Sequence, residues 1–296
     1  MNLHSILRPE SLFAAFLTLL PMLCAAFLPE RASALGRALP RAMRIASPAA
    51  LCLPYALVAC AFRMFHWGWL AVYMLLPVAI AFLLDQARGA NPGKRDDWRD
   101  YLVLAVLGLA VDLRWFESAW PAGLAVLGKM VLLDAGIFGF LVVRQLDSVG
   151  FDLRLKRRDI EIGLREFFFY ALIAIPLGLG LGFLHVHATL PQPLYAMGAF
   201  VFTFLFIAIP EELFFRGWLQ NLLERRFGRT WALVVTSVVF GLAHWNKRTL
   251  TFNWRYVLMA ALAGIFYGRA WRAERRVGTS ALTHTTVDTL WSLWLR

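Results

Sequence analysis

The sequence predicts an all-α protein, a polytopic transmembrane helix bundle of about eight spans, give or take two, with a polar cavity inside the membrane. Three observations lead there. The 296 residues are 60% hydrophobic and only 17% charged, with a mean hydropathy of +0.61, whereas a soluble domain has roughly 45–50% apolar and about 25% charged residues. The apolar residues come in runs that approach the roughly 20 residues needed to cross a bilayer. Lys and Arg cluster between those runs, which is how a membrane protein fixes its orientation. This composition excludes a disordered chain, a collagen-like fibre and a disulfide scaffold. The formal charge of +11 belongs to the inter-span clusters, so the expected partner is the lipid bilayer and no nucleic acid.

In chain order, the candidate spans are residues 11–28, 49–62, 67–84, 101–111, 120–143, 167–186, 195–209, 231–244, 256–271 and 281–295. The first follows Arg8 and precedes Ala32-Ser33-Ala34. It imitates a secretory signal, but Pro21 within it, Glu10 before it and the many later spans favour an uncleaved helix. Cys24, Cys52 and Cys60 lie in apolar stretches without CxxC spacing and read as packing or lipid-facing residues. Basic clusters at 31–44, 88–99, 144–165, 225–229 and 269–276 are expected on the cytoplasmic side, a signal blurred by Lys247, Arg248 and Arg255. The stretch 145–166 is expected to begin with an amphipathic helix lying on the membrane surface. Gly178, Gly180, Gly182 and the pair Gly264/Gly268 are expected to let helices approach closely. His4, His66, His185 and His187 sit at span ends or in loops and read as interfacial. The chain is read as a single membrane domain, 1–296, with its chemistry in 165–296 and additional spans in 1–164.

Ionisable side chains inside a bilayer are costly, so they are functional candidates by default. Beyond residue 166 three acidic residues, Glu211, Glu212 and Asp288, and two histidines, His244 and His284, are embedded in apolar sequence. They form three patterns. In Glu211-Glu212-Leu213-Phe214-Phe215-Arg216, after Pro210, proline can open a helical segment whose first turn welcomes carboxylates. Glu212 and Arg216 are four apart with the acid first, so they can pair along one face. Glu211 points about 100° away and is left for chemistry. Phe240-Gly241-Leu242-Ala243-His244 places Phe240 and His244 on one face, and His284-Thr285-Thr286-Val287-Asp288 does the same for its ends. Counted from the basic clusters at about 1.5 Å per residue, Glu211, His244 and Asp288 lie about 21, 22 and 18 Å into the membrane, so the three patterns converge on one layer.

Two histidines and several carboxylates around a buried cavity suit the activation of water. Peptide hydrolysis needs a base for the water, a proton for the leaving amine and donors for the oxyanion. The patterns EExxxR, FxxxH and HxxxN/D, in this order on separate helices, resemble the CAAX prenyl protease and bacteriocin-processing (CPBP) intramembrane endopeptidases, over roughly residues 165–296. The resemblance implies that Glu211 and His244 activate water, that His284 and Asp288 stabilise the oxyanion, and that Glu212 and Arg216 support them. It implies a glutamic-type mechanism without a metal or other cofactor, a membrane-associated protein or peptide as substrate, and the bacterial cytoplasmic membrane as location. Many members of the family carry Asn where this chain has Asp288; an ionised Asp cannot donate, so it must be protonated or orient His284.

Two alternatives use the same residues differently. Glu211, His244 and His284 are ligand types that zinc accepts, with a fourth position open for water, although HExxH is missing. A non-catalytic transporter or immunity protein would draw on the charged pair Lys129 and Asp134 in the run 120–143. No inverted repeat supports transport, and no GxSxG elbow supports a serine protease. Basic-inside orientation with a deep site would admit a substrate from the outer leaflet.

Overall fold

A computed structural model describes residues 8–91, 95–187, 191–247, 249 and 251–295; His4 and Arg248 lie outside them. All the regular structure among the described residues is helical. The chain forms two compact units, Met1–Asp147 and Ser148–Arg296.

The first unit contains α1 (Pro9–Phe27), α2 (Pro29–Ala38), α3 (Arg41–Ala46), α4 (Leu53–Ala61), α5 (Trp67–Ala90), α6 (Trp98–Asp112) and α7 (Ala125–Ile137), which continues through a wider π-helical stretch to Val143. Its aromatic core stacks Tyr55 on Tyr73 with Trp120 edge-on to both. Buried Arg144 grips Asp100 at 2.8 Å and the carbonyl oxygens of Asn91 and Arg95. A full set of partners is what makes such burial of charge tolerable. Of the pair singled out for transport, Lys129 instead meets Glu117 at 3.3 Å. Asp134 is buried with neither carboxylate oxygen hydrogen-bonded.

The second unit contains α8 (Arg157–Gly180), α9 (Pro193–Thr203), α10 (Ile209–Glu212), α11 (Asn221–Leu242), α12 (Trp254–Glu274) and α13 (Val277–Trp294). On α8 the buried positions Asp159, Ile162, Glu166, Tyr170 and Ala174 recur at helical spacing, while Leu164, Phe168, Leu172 and Ile173 point outward. The acidic Asp159 and Glu166 thus face the interior and large apolar side chains face out, as expected of a helix bathed in lipid. The expected separate surface helix before this span does not form. Residues 151–155 are irregular, and Asp159 accepts the Lys156 N–H at 2.8 Å, starting one continuous helix at Arg157.

Among the described residues, six helical stretches are long and apolar enough to cross a membrane: Pro9–Phe27, Arg41–Ala61, Trp67–Ala90, Ala125–Val143, Arg157–Gly180 and Pro193–Leu242. The chain is therefore an integral membrane protein. The last stretch counts 50 residues, about 75 Å at 1.5 Å per residue, far more than one crossing requires. Gly228, at φ 76° and ψ 171°, breaks it in two inside the basic cluster that separates the candidate spans 195–209 and 231–244. α12 and α13 are not among these stretches; α12 carries Arg255, Arg269, Arg272 and Glu274, and α13 carries His284 and Asp288.

Of the glycines expected at close crossings, Gly178, Gly264 and Gly268 do face a neighbour: a β-carbon on Gly264 would stand 3.0 Å from the Ser237 backbone. Gly180 and Gly182 face open space; Gly182 instead forms the turn after α8, at φ 61°.

Candidate active site

The tandem Glu211-Glu212 ends a four-residue α-helical turn flanked by two π-helical stretches, Phe204–Ala208 and Leu213–Gln220. Proline inside a helix lacks an N–H and crowds the carbonyl four residues earlier. The widened turn before Pro210 absorbs that clash, so the helical path continues where the sequence suggests a fresh start. Such single-turn widenings are frequent at functional sites.

Glu212 and Arg216 are both completely buried and pair as expected. Arg216 Nη1 donates to Glu212 Oε1 at 3.2 Å, Nε lies 3.1 Å from Oε2, and Nη2 donates to the Gly264 carbonyl at 3.0 Å. The guanidinium also stands over the Phe240 ring, 4.6 Å from its centroid. Glu212 does more than the sequence indicates. Its Oε1 lies 2.8 Å from His284 Nδ1, and Ser280 donates its hydroxyl hydrogen to Oε2. A carboxylate held by arginine only accepts, so Nδ1 of His284 carries a proton.

The opposite nitrogen of His284, Nε2, faces Asp288 Oδ2 at 3.4 Å and Glu211 Oε2 at 3.9 Å. Both carboxylate side chains are about one third exposed, at 32% and 35%, which separates them from fully buried Glu212. Glu211 Oε2 is itself shielded from solvent and has no hydrogen-bond partner. These approaches are attractive when a proton sits on Nε2 or on one of the two carboxyl groups.

His244 ends up just beyond α11, whose last carbonyls have no partner further along the helix. Its Nδ1 lies 2.8 Å from the carbonyl of Phe240. That oxygen only accepts, so Nδ1 carries the hydrogen and Nε2 is left as the basic atom of the neutral ring. Phe240 also presents its ring to His284 edge-on, so the i,i+4 spacing of the second pattern serves two histidines.

Glu211, His244, His284 and Asp288 line one cavity of about 410 Å³. Its walls are otherwise mostly apolar and include Tyr170, Met259, Tyr256, Tyr267 and Trp291. The structure thus gathers all four residues assigned to the chemistry, and keeps Glu212 and Arg216 behind them. Sequence reasoning missed Ser280, although it lies four residues before His284 and so shares its helix face. It also missed Tyr256 and Tyr267, which carry no motif. Of the histidines read as interfacial, His66 caps α5 by accepting the Gly68 N–H at 3.1 Å. His185 and His187 donate their backbone N–H groups to the carbonyls of Leu295 and Trp294.

Among the described residues no three His, Cys, Asp or Glu side chains gather as a set able to hold a metal ion. Nδ1 of His284 is held by Glu212, and Nε2 faces Asp288 and Glu211.

The fold and the cavity define a helical membrane protein with a polar site among the helices of its second unit. Residues 193–290 match the family described as type II CAAX prenyl endopeptidase Rce1-like. The match places this segment, about a third of the chain and the part that holds every motif residue, in the CAAX prenyl protease (CPBP) family, whose members are peptidases. No curated protein and no solved structure matches the chain.

Proposed function

We propose that the protein is an intramembrane endopeptidase that cleaves a membrane-associated protein or peptide by a glutamic-type mechanism, with the bacterial cytoplasmic membrane as its site of action. The observation that carries this reading is the shielded Glu211 Oε2, without a hydrogen-bond partner, in a cavity shared with His244, His284 and Asp288. Water held between Glu211 and Nε2 of His244 loses a proton to Glu211 as its oxygen attacks the scissile carbonyl. The developing oxyanion accepts a hydrogen bond from His284 Nε2–H, and preorganised donors of this kind are worth about 10²–10³ in kcat. Asp288 steers the same nitrogen. The proton then passes from Glu211 to the departing amine, which restores the carboxylate. Glu212, clamped by Arg216 and Ser280, fixes the tautomer and orientation of His284.

The test is cleavage of a membrane-tethered reporter library by purified protein, wild type against Glu211→Ala, with and without a strong chelator. Loss of cleavage on substitution and indifference to chelator support the proposal. Loss with both would make Glu211, His244 and His284 metal ligands. Cleavage that survives Glu211→Ala removes the central assignment. An Asp134→Leu variant that keeps full cleavage separates this reading from transport.

A further inference from the structure

Both histidines of the cavity are fixed in the same manner. Each has its Nδ1 tied 2.8 Å from an acceptor, the Phe240 carbonyl for His244 and the Glu212 carboxylate for His284. Each also has one ring face covered by a tyrosine lying nearly parallel to it. Tyr256 stacks on His244 with centroids 5.2 Å apart and planes 21° apart. Tyr267 stacks on His284 at 4.6 Å and 16°. A hydrogen bond at one nitrogen leaves a ring free to pivot about that bond, and a flat neighbour on its face removes the pivot.

The two tyrosines come from one helix, α12, which contributes nothing to the three motifs. They are eleven residues apart, about three helical turns and roughly 16 Å along the axis, so they share a face. That face is itself held close to the site. Arg216 donates to the Gly264 carbonyl, and Ser280, which also contacts Glu212, lies 2.8 Å from the Tyr267 carbonyl. Gly241 on α11 lies so close to α12 that a β-carbon there would stand 2.7 Å from that of Ala261. Tyr256 is braced in turn by edge-on contacts to Phe183 and Trp291.

We infer that Tyr256 and Tyr267 are positioning residues, one for each histidine, and that α12 is the rigid template setting the two imidazoles at their working separation. This rests on the proposed peptidase reading for what the imidazoles do, but not for where they are held. The ring face does the positioning, so phenylalanine suffices and an aliphatic side chain does not. Tyr267 acts on the ring facing the oxyanion, Tyr256 on the ring that holds the attacking water.

The experiment uses full-length protein in lipid nanodiscs, wild type against Tyr256→Phe, Tyr256→Leu, Tyr267→Phe and Tyr267→Leu. Two readouts are taken: kcat and KM on the cleaved reporter, and NMR of labelled histidine rings. Misplacing a reacting group by about 1 Å can cost about 10²-fold. The expected result is a fall in kcat of about 10–100-fold in each Leu variant with KM nearly constant, and near wild-type kcat in each Phe variant. The imidazole Cε1–H resonance of the matching histidine moves downfield in the Leu variant as the ring-current shielding is lost. Unmoved resonances, unchanged kcat in the Leu variants, or a Phe variant as impaired as its Leu counterpart would each overturn the inference. The NMR arm needs no turnover. Shifted resonances in a protein that cleaves nothing would sustain the positioning role while removing the peptidase reading.

Discussion

Replacing Arg216 by Met tests the division of labour between the paired glutamates. The perturbation removes one partner of an ion pair in which both side chains are completely buried. At the observed 3.1 Å, and with an effective dielectric constant of about 20, the direct attraction is about 5 kcal/mol. Desolvation of both groups offsets much of this, so the pair itself is worth far less than that figure. Removing only the arginine leaves Glu212 buried without its main counter-charge, a loss of about 3–5 kcal/mol. His284 and Ser280 still contact Glu212, which favours the lower end. The melting temperature in detergent should fall by on the order of 10 °C.

The decisive comparison is with Glu212→Gln and with the double variant. Gln at 212 is neutral, so adding Arg216→Met to it orphans no carboxylate. The double variant should therefore be more stable than the sum of the single losses implies, with a coupling of about 1–3 kcal/mol. Additivity within about 0.5 kcal/mol would refute the reasoning, because Glu212 would then not be a charge that depends on Arg216.

The remaining predictions follow from packing and from the polar end of α13. Gly241→Ala should lower both melting temperature and cleavage by pushing α11 and α12 apart, whereas Gly180→Ala, facing open space, should be neutral or stabilising by up to about 1 kcal/mol; equal effects in thermal melts would remove the close-packing argument. Asp152 lies outside the spans and has its carboxyl held down to about 2, chiefly by hydrogen bonding from Arg154, against the cost of burial and with help from Arg276. A depressed folded value stabilises above the unfolded value of about 3.9, so the gap in melting temperature between wild type and Asp152→Asn should be full at pH 6, shrink below about pH 4 and vanish only below about pH 2. A gap that does not change with pH would mean that the carboxylate's charge contributes nothing.

The fold class and the four cavity residues were legible because intramembrane charge is rare, so Glu211, His244, His284 and Asp288 stand out from apolar surroundings. The Glu212–Arg216 pair was legible because its spacing is local. The grip of Glu212 on His284 was not, since it joins residues 72 positions apart and only the packing of α13 against the tandem creates it. Tyr256 and Tyr267 are inconspicuous for another reason: aromatic residues are common in this sequence, and their parallel stacking is a matter of side-chain orientation. The surface helix expected before α8 does not form, and charged residues of that stretch have specific partners instead. Arg158 reaches Glu274, and Asp159 meets Arg276 and Thr279, so the segment is pinned to the unit and continues straight into the span. Pro210 misled in the same direction, because π-helical widening lets a proline pass within a helix.

Asp288 carries the sharpest consequence, because it occupies a position where the resembling family commonly has Asn. Its half-buried carboxylate approaches the buried His284 Nε2 with Oδ2 at 3.4 Å, while Nδ1 is already committed to Glu212. If Asp288 acts by accepting from Nε2, the side-chain carbonyl of Asn can replace it, and the amide adds a donor toward the oxyanion. If Asp288 acts by carrying a proton, Asn supplies a donor at all pH values and the rate no longer depends on that group's titration. Either way Asp288→Asn should cleave the reporter within about tenfold of wild type, whereas Asp288→Leu, which neither accepts nor donates, should lose about 10²–10³-fold, as when an oxyanion-hole donor is removed. A pH–rate profile separates the two roles: an unchanged profile in the Asn variant assigns Asp288 to orienting His284, and the loss of one limb assigns it to donating. An Asn variant as inactive as the Leu variant would refute both, since it would mean that the negative charge itself is required, and the placement of Asp288 on the oxyanion side would have to be abandoned.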